Sequence, residues 1–575
     1  MHLIPSENFA ITNPRDTVEI HLPDGRVVSG PRSAPVGDFL FASNQENTPP
    51  LICAIVNGEL RELTYPIKID AKVQPITMAE PDGMRVYRRS LVFLAETAFD
   101  QLFPDGVLTV DHSVGSGGYY CHVSKCGPLS PATLDQLEGL MRHLVELDLP
   151  FERQIVPLNE AMEIFQSEGE DDQVNLILHR QKPYLTLYKL QDHRDYHHGY
   201  MVPSTGYLRW FKLTPAGEGF TLRFPRSQAP TEILPLSDYP KLLSTFRQYG
   251  DWLNRLGISS VGALDNAIKN DRIKEIILVS EALHEQRVSE IAAQIAEHRE
   301  YVRVVLISGP TSSGKTTFSK RLAIQLLAHG ISPCPLEMDN YFLDRDATPP
   351  GEDGKPDFES INALDRARLS NDLMQLIEGK TVTIPHFDFI QGKRLGGEEV
   401  RLTPDQIVIL EGIHGLNPEL LITLPSQKAF RIYVSALTQL NLDRHNRVST
   451  TDTRLIRRIV RDARERGYPA QQTIQRWESV RKGEKQYIFP FQENADALFN
   501  SALVYEMSAL KPIAEPLLRQ VPYGTSEYVE AKRLLAFLEW FLPIDSELIP
   551  DNSILREFIG DSILRNFALW HNHQI

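Results

Sequence analysis

Cysteine is scarce in this chain of 575 residues, which has only Cys53, Cys121, Cys126 and Cys334. Four scattered thiols cannot form the framework of a disulfide-stabilised scaffold, so we expect them to be reduced. No run of about eighteen uncharged apolar residues is present, so a membrane-spanning helix and a membrane partner are not expected. Residues 1–10 lack the basic and apolar segments of an export signal, which predicts a cytoplasmic protein.

Basic residues are in the minority, with 60 Lys and Arg against 75 Asp and Glu and a net charge of −15. Nucleic-acid binding needs a concentrated basic surface that neutralises phosphates, so a nucleic-acid partner is not expected, although a local basic patch stays open. Hydrophobic residues make up 42% of the chain. At this length, that is enough for about three domains.

The first 225 residues predict two domains of different character. Residues 1–75 contain short alternating apolar segments between turn signals, which is typical of a small β-rich module. Residues 76–225 combine helical apolar spacing with strand-like segments, which predicts an α+β domain. The strands predicted here are Val18–Leu22, Ile52–Val56, Tyr184–Tyr188 and Tyr207–Leu213.

The remainder predicts a helical linker at 226–300, an α/β domain at 301–520 and a C-terminal helical extension at 521–575. The linker contains a charged helix over Asp265–Glu300, and the extension ends in helical sequence at Ile554–Trp570. Near-continuous apolar runs in the α/β domain are typical of a buried parallel sheet. The strands predicted for this sheet are Val302–Ser308, Ser332–Met338, Thr381–Pro385, Gln406–Leu410 and Ala429–Val434.

The sequence GPTSSGKTT follows the first of these apolar strands and precedes a helical run. This strand–loop–helix context favours a P-loop over a chance glycine-rich turn. The glycines let backbone N–H groups face a phosphate, Lys315 reaches the β and γ oxygens, and the Thr316 hydroxyl binds Mg²⁺. We therefore expect ATP and Mg²⁺ as cofactors, bound by Gly309, Pro310, Thr311, Ser312, Ser313, Gly314, Lys315, Thr316 and Thr317.

Two carboxylates stand at the ends of predicted strands. Glu411 ends one strand, and Asp339 follows another directly. Such groups are more often helix caps or solvated side chains, but ligands of an open α/β sheet bind at this edge. Downstream of a P-loop, Glu411 is a candidate metal ligand, and Asp339 could accept a hydroxyl proton or help to hold Mg²⁺.

The helix predicted over Asp452–Tyr468 is rich in arginine. Such density is usual on a solvated helix face, but over a triphosphate the same side chains would supply the guanidinium groups that phosphoryl transfer needs. These residues are Arg454, Arg457, Arg458, Arg461, Arg464 and Arg466.

In this order and spacing, the elements resemble the uridine kinase and phosphoribulokinase family of P-loop kinases over about Val302–Leu518. The matching segments are GPTSSGKTT, MDNYF, DFESINALD, GKTVTIPHFDF, ILEGIH and TRLIRRIVRDARERG. The resemblance implies that Asp339 is the catalytic carboxylate and that Thr316 and Glu411 belong to a magnesium site. It also implies transfer of the ATP γ-phosphoryl group, aided by Lys315, to a primary hydroxyl of a sugar or nucleoside. The arginines that it assigns to catalysis are Arg458, Arg461 and Arg466.

Departures from that family concern the acceptor. Phe387 and Gly392 stand where uridine–cytidine kinases have a tyrosine and a histidine, and Glu359 replaces the aspartate that holds the ribose hydroxyls. A lost hydrogen-bond partner in a buried site costs about 1–3 kcal/mol, so uridine and cytidine are expected to be poor acceptors. The residues predicted to contact the acceptor are Phe342, Glu359, Phe387 and Arg394.

Residues of about 15–220 resemble the N-terminal TGS domain and second additional domain of threonyl-tRNA synthetase. The matching segments are GMRVYRRSLVFLAETAFDQLFPD, GGYYCHV and VPSTGYLRWFKL. That editing domain uses an HxxxH pair and a later Cys/His pair, and the corresponding positions here are Arg89 and Phe93, then His197 and Met201. A guanidinium and a phenyl ring cannot act as imidazoles, so hydrolytic editing is not expected.

Two polar clusters remain open between metal binding and a structural role. The first contains His193, His197 and His198, with Asp192 and Asp195 between them in sequence, and the second contains Cys121, His122 and Cys126. Neither has the paired spacing of a structural zinc site.

The expected fold is therefore multidomain α+β and α/β: a β-rich TGS-like module, an α+β synthetase-editing-like domain and a P-loop kinase domain. We expect a kinase with a small-molecule acceptor, in which the N-terminal region shapes or regulates the acceptor site. The alternative is an RNA- or ribosome-associated factor whose P-loop domain is a nucleotide-dependent switch. The acidic charge and the lost editing groups weigh against it, and Asp339, which a switch would not need, favours the kinase. A homo-oligomer stays open.

Overall fold

The computed structural model describes residues 13, 15–43, 49–115, 117–236, 239–351, 354, 356–388, 391–438 and 440–565. Within these ranges no helix has both the length and the apolar character needed to cross a membrane. Two regions of mixed helices and strands precede an α/β region with a parallel sheet, which confirms the predicted multidomain fold class.

The N-terminal region forms a five-stranded sheet. Its elements are β1 (Thr17–His21), β2 (Val27–Pro31), α1 (Val36–Ser43), β3 (Leu51–Val56), β4 (Glu59–Glu62) and β5 (Ala71–Thr77). The strand order is β2-β1-β5-β3-β4. Val18 and Ile20 of β1 are buried and alternate with more exposed residues, as expected for a strand with one face on the core.

The second region is built around one long buried helix. Its elements are α2 (Pro81–Leu102), β6 (Val107–Val114), β7 (Gly118–Ser124), α3 (Pro131–Glu146), β8 (Glu152–Pro157), α4 (Leu158–Glu168), α5 (Asp171–Ile177), β9 (Tyr184–Leu190), β10 (His193–Tyr196), β11 (Lys212–Ala216) and β12 (Gly219–Arg223). The strands form two antiparallel sheets, β11-β12-β7-β6 and β10-β9-β8. The strand predicted at Tyr207–Leu213 is wrong, because Tyr207 ends a short 3₁₀ turn and the strand begins only at Lys212.

Three helices lead from this region to the parallel sheet: α6 (Pro240–Leu256), α7 (Val261–Lys269) and α8 (Ile273–Glu297). The single helix predicted over Asp265–Glu300 is instead two helices, since Asp271 has a φ of 57° that interrupts the helix. Ile291 and Ile295 of α8 share a core with Val305 of the sheet. The helix α8 is therefore a packed layer over the sheet rather than a bare linker.

The α/β region follows. Its elements are β13 (Val304–Ser308), α9 (Lys315–Ala328), β14 (Ser332–Glu337), α10 (Arg366–Ile377), β15 (Val382–Asp388), β16 (Lys393–Val400), β17 (Gln406–Glu411), β18 (Ala429–Ser435), α11 (Thr450–Arg466), α12 (Ala470–Tyr487), β19 (Ala497–Asn500), α13 (Glu506–Arg519), α14 (Ser526–Leu538) and α15 (Arg556–Ile559). The sheet order is β14-β17-β13-β18-β19, and every neighbouring pair is parallel. The carboxyl ends of all five strands therefore meet at one edge.

Two predictions for this region are wrong. The segment Thr381–Pro385 does not join the parallel sheet, because β15 pairs antiparallel with β16 as a separate hairpin. The helix expected over Ile554–Trp570 shrinks to the single turn α15, and residues 566–570 lie outside the described residues. The fifth strand of the parallel sheet is β19, which has only four residues and is too short to be recognised as a strand from the sequence.

The loop after β18 ties the α/β region to the second region. The Val110 N–H donates to the Arg444 carbonyl at 2.8 Å, and the Asn441 side-chain amide donates to the Val110 carbonyl at 2.9 Å. The Asn446 side-chain amide donates to the Tyr196 carbonyl at 2.8 Å. Because these bonds satisfy buried polar groups on both sides, the two regions pack as one body.

Beside this loop, Glu96 lies at the centre of a buried ionic cluster. Its Oε2 is 3.0 Å from Nε2 of His197, and Nδ1 of His445 is 2.6 Å from Oδ2 of Asp195. Burial alone would lower the pKa of His445, but Glu96 and Asp195 raise it to about 9. Burial alone would also lower the pKa of His193, but Asp100 and Glu96 raise it to about 10. The cluster thus joins α2 to the α/β region through protonated histidines.

This arrangement predicts a loss of stability in alkali. A histidine whose pKa is raised from 6.5 on folding stabilises the fold fully below that value, and the stabilisation disappears as pH rises through about 9 and about 10. The melting temperature of the full chain should therefore fall across this window. His445→Gln should flatten the profile, whereas the same change at the exposed His122 should leave its shape intact. An unchanged slope in the His445 variant would contradict the role of the cluster.

Candidate functional site

The P-loop lies at the carboxyl end of β13, whose five residues are all buried. Gly309 is required because a Cβ there would lie 1.9 Å from the Val434 carbonyl oxygen. Gly314 has a φ of +85°, which reverses the chain just before α9 begins at Lys315. The hydroxyls of Ser312 and Ser313 are buried and have no hydrogen-bond partner among the described residues. The loop therefore presents donors at a helix N-terminus, which suits a phosphate.

Lys315 and Thr316 lie at the start of α9. The Lys315 Nζ donates to the Pro310 carbonyl at 3.2 Å, and the Thr316 hydroxyl donates to Oε1 of Glu411 at 2.9 Å. Burial lowers the pKa of Lys315, and the carboxylates of Glu411, Glu557 and Asp339 oppose this shift. The structure thus brings Thr316 and Glu411 side by side, and their role as metal ligands stays a prediction.

Asp339 lies in a 3₁₀ turn directly after β14 and is exposed at the carboxyl edge of the sheet. The surrounding protein raises its pKa to about 6, Glu337 adds to the shift, and Lys315 opposes it. Burial raises the pKa of Glu411 to about 7. The Glu411 and Asp339 carboxylates and the Thr316 hydroxyl are oxygen ligands of the kind that Mg²⁺ prefers. The residues present therefore fit a magnesium ion that would be held by Thr316 and Glu411, with Asp339 nearby.

The three arginines predicted for the lid share one partner. Arg458, Arg461 and Arg466 contact the Asp462 carboxylate at 3.2, 3.1 and 3.5 Å. Arg466 lowers the pKa of Asp339 and Arg461 lowers that of Lys315, so both side chains influence the cleft electrostatically. Asp462 thus gathers the three guanidinium groups at the edge of the site.

Two further arginines of α11, Arg454 and Arg457, are almost completely buried and hold the P-loop from the side. The Arg454 Nε donates to the Thr311 carbonyl at 3.0 Å, and its guanidinium pairs with Glu484, which accepts from the Thr311 N–H at 2.9 Å. Arg457 pairs with Glu506 and donates to the Ser312 carbonyl at 3.4 Å. No local sequence pattern indicates these positioning roles, because both acidic partners lie on later helices.

The residues predicted to contact the acceptor are only partly brought together. The rings of Phe342 and Phe387 lie 5.8 Å apart and are buried beside the turn that carries Asp339. Arg394 is instead held by Asp365 at 2.8 Å. Gly392 lies against Arg345, because a Cβ there would lie 2.7 Å from the Arg345 Nε.

Glu359 lies against α12. A Cβ at Gly483 would lie 2.6 Å from the Glu359 Cβ, so only glycine permits this approach. Burial and the neighbouring Glu484 raise the pKa of Glu359 to about 7, whereas Arg458 opposes the shift. Glu359 is thus a carboxyl group that can be neutral near physiological pH, which makes it a possible hydrogen-bond donor as well as an acceptor.

The C-terminal segment 553–565 crosses the P-loop, which the sequence did not predict. Oε2 of Glu557 accepts from the Thr317 N–H at 3.1 Å. The Lys320 Nζ donates to the Leu564 carbonyl at 2.7 Å, and a Cβ at Gly314 would lie 2.7 Å from Cγ2 of Ile554. A carboxylate therefore occupies one of the free donors at the N-terminus of α9.

The positions that correspond to the editing groups are used in packing. The Arg89 guanidinium donates to the Tyr200 carbonyl at 2.6 Å, and the Phe93 ring lies 5.2 and 5.1 Å from the rings of His193 and His197. Met201 is buried. In this geometry Arg89, Phe93 and Met201 support the fold, and the absence of hydrolytic editing stays a prediction.

Of the residues in the two polar clusters, only Asp195 belongs to a group of potential metal ligands in the described part of the chain. Glu96, Asp195 and His445 each offer a ligand atom, and these atoms lie within 4.8 Å of one another. His198 is apart from them, at 3.1 Å from the Tyr196 hydroxyl, and burial lowers its pKa to about 3. The group Cys121, His122 and Cys126 does not converge in this way within the described part of the chain.

Comparison with known proteins gives two separate similarities. Residues 304–508 match the family described as Phosphoribulokinase / Uridine kinase family. About 34% of the chain is 31% identical to the threonine–tRNA ligase of Syntrophotalea carbinolica and covers 31% of that protein. The corresponding figures for the enzyme of Halorhodospira halophila are 34%, 33% identity and 30%. The chain thus spans about a third of the length of these curated relatives.

Two solved structures are also similar. A putative fructose transport system kinase from Silicibacter sp. TM1040 is 19% identical, with 37% of this chain and 98% of that chain covered and a TM-score of 0.27. A possible uridine kinase from Bacillus stearothermophilus is 17% identical, with the same coverage and a TM-score of 0.25. The resemblances predicted from the sequence are confirmed: residues 304–508 match the phosphoribulokinase and uridine kinase family, and the N-terminal region is related to threonine–tRNA ligases.

Proposed function

We propose that this protein is an ATP-dependent kinase that transfers the γ-phosphoryl group to a hydroxyl of a nucleoside or a related sugar. The observation that carries this proposal is the convergence of Lys315, Thr316, Glu411 and Asp339 at the carboxyl edge of one parallel sheet. Ligands of such sheets bind at this edge. The match of residues 304–508 to a kinase family supports a phosphotransferase.

In the proposed reaction the P-loop amides and Lys315 bind the phosphates and stabilise the charge that develops on the transferred group. When bound by Thr316 and Glu411, Mg²⁺ would neutralise part of the phosphate charge. Asp339 accepts the proton of the acceptor hydroxyl. Its pKa of about 6 leaves the carboxylate ionised at neutral pH yet basic enough to take that proton.

The acceptor site would lie between Asp339, the Phe342–Phe387 pair and Glu359. The two phenyl rings offer an apolar face on which a ring can pack. Neither side chain offers a hydrogen bond to the exocyclic group of a pyrimidine, and Arg345 fills the space at Gly392. We therefore expect weak discrimination between bases, with uridine and cytidine as poor acceptors.

An acceptor panel tests this function. The full chain with ATP and Mg²⁺ should release ADP when one of several pyrimidine nucleosides, purine nucleosides, free pentoses or sugar phosphates is added. Asp339→Asn should lower kcat at least about 100-fold, the range typical of a lost general base, while ATP affinity changes little. The matched control is Asp346→Asn at an exposed position. Full turnover by a folded Asp339→Asn protein would contradict the proposed role, and a collapse of ATP affinity would reassign Asp339 to the metal site.

The contact between Glu557 and the P-loop predicts that the C-terminal segment competes with nucleotide. Glu557→Gln removes a negative charge next to a phosphate donor, so it should tighten ATP binding by about three- to tenfold, or roughly 0.6–1.4 kcal/mol. Titration calorimetry of the full chain measures this change. Glu547→Gln, at an exposed position of the same C-terminal region, should bind ATP as the native protein does. Weaker ATP binding by the Glu557 variant would mean that this carboxylate helps to build the nucleotide site.

A further inference from the structure

A second cavity lies between the second region and the α/β region. Its volume is about 550 Å³, within the range of about 300–1,000 Å³ that is usual for small-ligand sites. Helix α2, strand β7, the loop after β18 and helices α11, α12 and α14 contribute to its wall. Lys315, Thr316, Asp339 and Glu411 are not part of this wall, so the cavity is separate from the P-loop site.

Cationic side chains dominate the wall although the chain as a whole has a net charge of −15. The acidic side chains in the wall are Asp452 and Glu478. The cationic ones are Arg85, Arg88, Arg89, Arg226, Arg447, Arg454, Arg481, Lys485 and Arg533. Such an excess inside an acidic protein concentrates a positive potential in one enclosed place.

Several of these cations have structural partners. Arg533 binds Asp452 at 2.7 Å, Arg85 binds Asp82 at 2.5 Å, and Arg454 pairs with Glu484. In contrast, Arg88, Arg226, Arg447 and Lys485 form no ion pair with a carboxylate of the described residues. The Nε atoms of Arg88 and Arg447 are buried and lack any hydrogen-bond partner there. Buried charges of this kind are costly unless something neutralises them.

The unpartnered cations also repel one another. Burial lowers the pKa of Arg88 to about 10, with further lowering by Arg226 and Arg481. Burial lowers the pKa of Lys485 as well, and Arg481, Arg226 and Arg88 add to that shift. The fold thus holds at least four positive groups close enough to destabilise each other. Features that cost stability in this way are typical of ligand sites.

Aromatic rings stand next to the cations. The Arg88 guanidinium lies 4.8 Å from the centre of the Phe224 ring, and that of Arg447 lies 5.7 Å from the centre of the Tyr119 ring. Stacking of this type fixes the plane of a guanidinium and leaves its N–H edge free for an anion. Further rings of the wall are Tyr239, Phe246, Tyr433, Phe489 and Phe537.

We infer that this cavity binds a nucleoside di- or triphosphate, with the phosphates on Arg88, Arg226, Arg481 and Lys485 and the base against the aromatic part of the wall. A polyphosphate supplies the negative charges that Arg88, Arg226 and Lys485 lack, and it adds to the single carboxylate, Glu478, that lies 3.6 Å from Arg481. A free nucleotide fits better than a long RNA, because the cavity has the volume of a small-ligand site and the chain as a whole is acidic.

Helix α12 separates this cavity from the proposed acceptor site. Arg481 and Lys485 face the cavity, whereas Gly483 packs on Glu359 and the Tyr487 hydroxyl donates to Asp357 at 3.1 Å. The two sites can therefore be tested separately. Lys315→Ala weakens the P-loop site and leaves the wall of the cavity unchanged, so the part of the binding in this background that substitutions in the wall remove reports on the cavity.

The test measures binding of ATP, ADP, GTP, inorganic triphosphate and a short single-stranded RNA to full-length Lys315→Ala protein by titration calorimetry. At least one nucleotide should bind with one-to-one stoichiometry and more tightly than inorganic triphosphate. Adding Arg226→Gln and Lys485→Gln should weaken this binding at least about tenfold, as expected for the loss of two charged contacts. Adding Arg519→Gln, at an exposed position on α13, should not change it.

Melting temperatures show whether each variant is folded, so a loss of binding can be distinguished from a loss of structure. Without nucleotide, the Arg226→Gln, Lys485→Gln protein should melt no lower than its parent, because the substitutions remove mutual repulsion. With nucleotide, only the parent should gain stability. Absence of nucleotide binding, equal binding by the two proteins, or binding of RNA alone would overturn the inference. None of these results depends on phosphoryl transfer, which the acceptor panel tests in the unmodified chain.

Discussion

The buried pair between Arg454 and Glu484 is the contact on which both sites depend. Glu484 accepts from the Thr311 N–H, and Arg454 donates to the Thr311 carbonyl, so the pair fixes both backbone groups of one P-loop residue. Its members come from α11 and α12, and Arg454 also lies over the Trp477 ring at 5.4 Å. Removal of one member would leave the other as an isolated buried charge, which typically costs about 3–5 kcal/mol. The pair therefore joins the P-loop to α11 and α12, two of the helices that line the cationic cavity.

The second region and the α/β region are joined by direct contacts between their side chains and backbone groups. Arg89 donates to the Tyr200 carbonyl, and Phe93 packs against the ionic cluster around Glu96. The loop after β18 inserts its polar groups into the same region. The second region and the α/β region therefore form a polar interface, and the cationic cavity lies between them.

The parts of the fold that could be predicted from the sequence depend on local pattern. The P-loop follows from a glycine spacing, and the strand that ends at Glu411 follows from a continuous apolar run. The segment Thr381–Pro385 was wrongly predicted to join the parallel sheet, because over five residues an apolar hairpin strand has the same pattern as a strand of a buried sheet. Arg454 and Glu557 act through partners 30 and 240 residues away, so no local pattern could reveal them. The cavity could not be predicted from the sequence either, because it forms only where the second region and the α/β region meet.

The central claim, that a buried ion pair positions the phosphate loop, is tested most directly by the affinity of Glu484→Gln protein for ATP with Mg²⁺. The account predicts at least about a tenfold loss, or 1.4 kcal/mol, in a protein whose circular dichroism is native. Gln475→Ala, at an exposed position of the same helix that is not part of the cavity wall, is the control and should bind as the native chain does. Native affinity in a folded Glu484→Gln protein would contradict the account.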